Sequence, residues 1–202
     1  MTLDDFKQVN DTLGHDAGDA VLTTFAHRLR EAIDVPATFA RLGGDEFAVM
    51  IENVTDNLEL AAHAELILRR MREPFVHADR ILDCHVTIGA ALYPEHGTSP
   101  NEILKNADIA LYVAKTSERG SLVIFEPDHR AQVQERVSMV NIARTAVRED
   151  RIVPFYQPKI LLADNSIHGF EALLRWHHPR HGLQLPATIS AAFDDLGSGL
   201  ID

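Results

Sequence analysis

Apolar residues recur at helical spacing through Val21, Leu22, Phe25, Leu29 and Ile33, after a Gly14-His15-Asp16-Ala17-Gly18-Asp19 stretch that reads as a turn leading into a helix. The pattern predicts a helix to about Asp34, and Pro36 stops it. Two short apolar runs follow, 38–42 and 47–51, on either side of Gly43-Gly44. Twin glycines between strand-like runs predict a hairpin, with both free to take positive φ. A second amphipathic helix covers about 57–72, with Leu58, Ala61, Ala62, Leu66 and Met71 inward. Strand-like runs then occupy about 75–78 and 82–92, closed by the turn-rich Tyr93-Pro94-Glu95-His96-Gly97. A third helix, 99 to about 117, carries Ile103, Leu104, Ala107, Leu111 and Tyr112, and 122–125 closes the unit as a strand. Strands alternating with helices predict a layered α/β domain. Pro127 punctuates its end.

From about 128 to 149 a polar helix with sparse Val133, Val137, Val140 and Val147 reads as a connector. Beyond it, 152–162 and 167–174 are strand-like and separated by Ala163-Asp164-Asn165-Ser166, which predicts a second hairpin. A length of 202 residues suits one complete domain plus part of another.

Charge narrows the partners. With 19 Lys and Arg against 30 Asp and Glu, the net charge is -11. Such a chain repels a polyanion, which argues against nucleic-acid binding, so a phosphorylated ligand must be small and held by a few placed cations or by metal ions. Cys84 is the single cysteine, which excludes an intramolecular disulfide or a cysteine metal site and fits a reducing cytoplasm. No apolar run has the length of a membrane span, and the acidic start Met1-Thr2-Leu3-Asp4-Asp5 is unlike a signal peptide, so no membrane contact is expected from this segment.

Candidate chemistry gathers in Asp4, Lys7, Asn10, Asp19, Asp45 and Glu46, with glycines at 14, 18, 43 and 44. Two carboxylates directly after a Gly-Gly turn offer oxygen ligands on a loop where a nucleotide can approach the backbone, which suits magnesium. The turn by itself is equally what any Gly and Asp turn presents.

The wider pattern decides between these. Phe6-Lys7-x-x-Asn10-Asp11-x-x-Gly14-His15-x-x-Gly18-Asp19, Arg41-Leu42-Gly43-Gly44-Asp45-Glu46-Phe47, Val86-Thr87-Ile88-Gly89 and Ala107-Asp108-x-Ala110-Leu111-Tyr112-x-Ala114-Lys115 together resemble the GGDEF family of diguanylate cyclases. The resemblance covers residues 1–126, incomplete on the N-terminal side, because a helix and most of the first central strand of that family precede this point. It implies an α/β, nucleotidyl-cyclase or palm-like domain with a central sheet flanked by helices. The implied reaction condenses two GTP into cyclic di-GMP and pyrophosphate, in a homodimer that sets two loaded sites face to face. It implies Mg2+ or Mn2+ held by Asp45 and the Leu3 carbonyl, with Asp45 and Glu46 catalytic. It further implies Asn10 and Asp19 on the guanine, Gly43 and Gly44 beside the substrate, and Lys7, Lys115 and Arg119 facing the phosphates. Lys115 and Arg119 are four apart and share a face if their helix continues that far.

Two departures carry expectations of their own. Where the family has a metal-binding aspartate two residues before Asp4, this chain has Thr2. A hydroxyl does not replace a carboxylate's charge toward a hard dication, so one of two metals is expected to bind weakly. The family's product-inhibition motif, R-x-x-D, falls at Asp34-Val35-Pro36-Ala37 and is missing, so feedback at that site is not expected.

Further on, Phe155-Tyr156-Gln157-Pro158-Lys159 and Gly169-Phe170-Glu171-Ala172-Leu173-Leu174-Arg175-Trp176-x-His178-Pro179 resemble the opening of an EAL domain, a cyclic di-GMP phosphodiesterase. This implies a partial EAL (β/α barrel) fragment over 151–202, joined by a connecting helix over 127–150. By resemblance Glu171 is a metal ligand, Arg175 contacts a substrate phosphate and Gln157 lies in the substrate groove. The tail Phe193-Asp194-Asp195-Leu196-Gly197-Ser198-Gly199 resembles that family's D-D-F-G-T-G loop but lies close to Glu171. It is either a junction left by an internal deletion or a chance match in a helix and its Gly cap. Two functions remain open: a cytoplasmic cyclase, or a GTP-binding regulatory module of a GGDEF-EAL phosphodiesterase.

Overall fold

The chain begins with a two-residue strand, β1 (Thr2–Leu3), and two helices, α1 (Phe6–Leu13) and α2 (His15–Ala32). Strands β2 (Ala37–Gly43) and β3 (Glu46–Ile51) form the predicted hairpin, and α3 (Asn57–Met71) follows. Next come β4 (Phe75–His77), β5 (Arg80–Leu82), β6 (Val86–Ala90), α4 (Pro100–Ser117) and β7 (Leu122–Ile124). The chain continues with α5 (Pro127–Arg148), β8 (Ile152–Ile160), β9 (Ile167–His178) and β10 (Gly182–Gln184). These come from a computed structural model, which describes residues 1–186 except 79 and 83. The Phe193–Gly199 tail lies outside the described residues. The chain divides into two compact units, 1–130 and 131–202.

In the first unit the sheet runs β2-β3-β1-β6-β7. Its pairs are antiparallel apart from β6 with β7, which is parallel. The short β1 is pinned on both sides, Thr2 opposite Glu46 on one neighbour and opposite Thr87 on the other. Leu3, Phe25, Leu29, Met71 and Val86 form the core, and Phe25 stacks on Phe47 with ring centroids 4.7 Å apart. Helix α3 is capped by Asp56, whose side chain accepts from the Glu59 N–H, while Glu59 accepts in return from the Thr55 N–H. Ser99, Glu102 and Thr98 repeat that reciprocal arrangement at α4.

Five expectations need correction. Leu58 of α3 does not face inward but is 81% exposed, and Ala64, Ile67, Leu68 and Met71 make the buried face. The 82–92 run is not one strand: it divides into the end of β5 and the separate β6, because β5 pairs with β4 while β6 joins the central sheet. Of the twin glycines only Gly44 takes positive φ, 49°, and the Arg41 Nε–H donates to its carbonyl. Helix α4 ends at Ser117 with Glu118 extended, so Lys115 and Arg119 do not share a helical face. Helix α1 is an element that was not expected, although Phe6, Val9 and Leu13 recur at helical spacing along it. It ends where Gly14, at φ 87°, donates its N–H to the Asn10 carbonyl and turns the chain into α2.

Glycine sets two close approaches. A Cβ at Gly18 would lie 1.9 Å from Asn10 Oδ1, so α2 approaches α1 only because that position is bare. A Cβ at Gly89 would lie 2.1 Å from the Leu111 backbone nitrogen, so β6 fits against α4 for the same reason.

In the second unit, β8 and β9 form a long antiparallel hairpin, extended by β10. Val140, Ala143 and Ala146 of α5 bury against Trp176, with Leu174 and Ile152 packed around them. The sparse apolar residues of that helix therefore make a packing face. Gln157 stands directly opposite Glu171 in the hairpin, and Arg175 lies four residues along the same strand. By strand alternation these three share one sheet face, while Leu174 and Trp176 point to the other.

Candidate functional site

A cavity of about 340 Å³ opens where the end of β1, the start of α1, the β2–β3 turn and the end of α4 meet. Lys7 and Asn10 of α1, Asp45 of the turn, and Lys115 with Arg119 line it, together with residues 3–6. Sheet order explains the convergence. With β1 between β3 and β6, the chain leaving β1 into α1 runs beside both the β2–β3 turn and the strand against which α4 packs.

Each acidic residue at the cavity is already engaged. Asp4 is buried, and both of its carboxylate oxygens accept from the Thr87 hydroxyl, at 2.7 and 2.9 Å. The Gly120 N–H donates to Asp4 Oδ2 at 3.2 Å and to Thr87 Oγ1 at 3.0 Å. Asp4 thus ties β1 to β6 and to the turn after α4, and its charge is spent on the scaffold. Asp5, in the left-handed region at φ 57°, pairs with Arg119 at 3.0 Å. Asp45 Oδ2 accepts from the Thr2 hydroxyl at 2.5 Å.

The basic side favours an anion. Lys7, Lys115 and Arg119 face one cavity, and the first turn of α1 beside them has no side-chain cap, leaving N–H donors for a ligand. Leu3 is 2% exposed, so its side chain belongs to the core and the cavity meets its backbone. Behind the sheet end, burial pushes the Asp108 carboxyl above its ordinary range, against the opposing pull of the Met1 amine, and the Glu46 charge adds to the rise.

Of the site residues expected from sequence, Leu3, Lys7, Asn10, Asp45, Lys115 and Arg119 meet at this cavity. Asp19, Gly43, Gly44 and Glu46 are exposed nearby and do not line it. Asp19 follows Gly18, which touches Asn10, and Glu46 lies across from Thr2 in the sheet. Sequence reasoning missed Asp5, whose partner is 114 residues away, and grouped Asp4 with the candidate chemistry without a role, where it is a structural anchor. In the second unit Glu171 is exposed and lies 3.6 Å from Lys159 Nζ, while the Arg175 guanidinium donates to the Leu174 carbonyl and sits 5.9 Å from the Phe155 ring.

Comparison with known proteins identifies the family of each part of the chain. The family model "Diguanylate cyclase, GGDEF domain" matches residues 1–121, and "EAL domain" matches 140–200. The bifunctional diguanylate cyclase/cyclic di-GMP phosphodiesterase MucR of Pseudomonas aeruginosa is 40% identical over 186 residues, 92% of this chain and 27% of MucR. The cyclic di-GMP phosphodiesterase NbdA of the same organism is 36% identical over 202 residues, all of this chain and 25% of NbdA. The chain thus spans about a quarter of the length of these curated relatives. The solved structure of an N-terminally truncated TpbB (YfiN) comprising only the GGDEF domain, also from Pseudomonas aeruginosa, superposes with a TM-score of 0.64 at 40% identity, covering 66% of this chain and 78% of that one. These matches settle the family: this chain belongs to the GGDEF diguanylate cyclase family and continues into the start of an EAL domain.

Proposed function

We propose that residues 1–126 bind GTP and act as the regulatory nucleotide-binding module of a cytoplasmic cyclic di-GMP signalling protein, with 127–150 as the connecting helix and 151–202 as its partial EAL domain. The observation that carries the reading is the convergence of Lys7, Lys115 and Arg119 on one cavity beside the uncapped start of α1. Three cations and a helix N-terminus offer a triphosphate both charge and directed N–H donors. Asn10, whose side chain lies against the bare Gly18 and lines the cavity, presents an amide that can both donate and accept, as recognition of a guanine edge requires.

A two-metal condensation demands more carboxylate than this cavity offers. Magnesium or manganese of the kind the family resemblance implies takes an octahedral set of oxygens, and a two-metal site shares several carboxylates. Here Asp45 is bonded to Thr2, Asp4 to Thr87 and Gly120, and Asp5 to Arg119. Among the described residues no group of three metal-ligating side chains converges. These residues do not fit a metal pair, which favours binding over turnover. The second reading is the cyclase itself, with Asp45 and Glu46 catalytic in a homodimer, and the presence of Asp45 at the cavity favours it. Calorimetry with GTP, run beside chromatographic detection of cyclic di-GMP, separates the two: binding without product supports the module, and product that vanishes in Asp45→Ala supports the cyclase.

In the EAL part we assign Gln157 and Arg175 to a cyclic di-GMP phosphate and its groove, and Glu171 to a metal. Their common sheet face supports that grouping. Glu171 alone does not make a metal site, so no hydrolytic step is drawn for it.

Two outcomes follow for the nucleotide cavity. Asp5→Asn frees Arg119 and removes a negative charge from the entrance, so GTP affinity rises by about twofold to fivefold, the scale of an exposed ion pair. The gain shrinks as salt is added, which a calorimetric salt series reads directly. Gly18→Ala displaces the Asn10 amide, whose Oδ1 would lie 1.9 Å from the new Cβ. GTP affinity falls by about tenfold, the scale of one or two lost hydrogen bonds, while the affinity for inorganic triphosphate, which lacks the base, holds.

A further inference from the structure

Thr2 is 1% exposed, on a strand whose backbone is fixed by pairing to β3 on one side and to β6 on the other. Its hydroxyl proton goes to Asp45 Oδ2, the oxygen that a cation at this corner would need. Magnesium gives up its water reluctantly, so it would have to displace that bond and accept one carboxylate as its whole charged anchor. Charge favours the alternative. A neutral hydroxyl at position 2 leaves the corner one negative charge poorer than a carboxylate would, and so less repulsive to phosphate. The three cations line the same cavity as Asp45.

We infer that this cavity takes a nucleoside triphosphate directly on Lys7, Lys115 and Arg119 without a protein-bound divalent cation, and that Thr2, by clasping Asp45, is the residue that sets this. The inference rests on the nucleotide-binding reading above. It assigns Thr2 a specificity role: it keeps nucleotide binding at this cavity independent of a divalent cation.

The test uses the whole chain, GTP and Mn2+. Calorimetric GTP affinity of the natural protein is expected to agree within about twofold between chelator and excess Mg2+, and electron paramagnetic resonance is expected to find no Mn2+ bound to the protein alone. In Thr2→Asp, Mn2+ binding appears. Its GTP affinity in chelator drops by about tenfold, the effect of one added charge at close range, and metal restores it. Thr2→Val, which removes the hydroxyl without adding charge, stays metal-independent. Metal-dependent GTP binding by the natural protein, or Mn2+ held as tightly as in Thr2→Asp, overturns the inference while leaving nucleotide binding standing. Failure of GTP to bind under either condition overturns the nucleotide-binding reading and the inference with it. Should Thr2→Asp lack a cooperative thermal melt, the natural protein's chelator and Mn2+ arms still decide the matter.

Discussion

Gly89→Ala is expected to destabilise the GGDEF unit by about 3 kcal/mol, near the upper end of what overpacking in a close-packed interior costs. The added Cβ would lie 2.1 Å from the Leu111 nitrogen, 2.3 Å from the Ala107 carbonyl oxygen and 2.5 Å from Leu111 Cα. All three atoms are backbone of one helix, so no rotamer change relieves the contact and α4 must move off the sheet. Gly43→Ala is the matched control: a Cβ there meets nothing within 4 Å and its φ is not positive. Denaturant midpoints should separate the two variants clearly, with Gly43→Ala within about 0.5 kcal/mol of the natural chain. Equal midpoints would mean that β6 and α4 do not pack as described. Because α4 carries Lys115, its displacement also weakens the nucleotide cavity.

Lys115→Ala is expected to weaken GTP binding by about tenfold to a hundredfold, the range of a charge-assisted hydrogen bond to phosphate. Its thermal melt should stay close to that of the natural protein, because Lys115 is exposed on the last turn of α4. Lys105→Ala, an exposed cation on the same helix away from the cavity, controls for net charge. The competing account is that Lys115 only complements the C-terminal end of the helix dipole. In that case the variant loses a few tenths of a kcal/mol of stability and no affinity. The slope of affinity against salt gives a second readout, since removing a phosphate contact makes binding less salt-dependent.

Much of the site was legible before any coordinates. Lys7 and Asn10, Asp45 and Lys115 sit in separate motifs, and their residue types already suggested a small phosphorylated ligand in an otherwise acidic chain. The helices also declared themselves, α2 by its apolar face and α4 by Ser99, Pro100 and Glu102 at its start. Helix α1 escaped because it is only eight residues long and its start has no capping side chain, although Phe6, Val9 and Leu13 recur at helical spacing and pack on the core. The long 82–92 run misled because a continuous apolar stretch does not state which partner each half will pair with.

Local pattern and composition by themselves determined the longer helices, the family motifs, the hairpins and the absence of a carboxylate at position 2. They did so because helix periodicity, turn chemistry and charge are properties of neighbours along the chain. Only the tertiary structure decided that Thr2 clasps Asp45, that Asp4 belongs to Thr87 and Gly120, and that Asp5 holds Arg119. Those pairs are separated by 43 to 116 residues, and each exists because the β3-β1-β6 register brings strand ends and the turns beside them to one corner. A carboxylate's role as ligand, anchor or ion-pair partner depends on which donor reaches it first, and in this fold sheet register makes that choice.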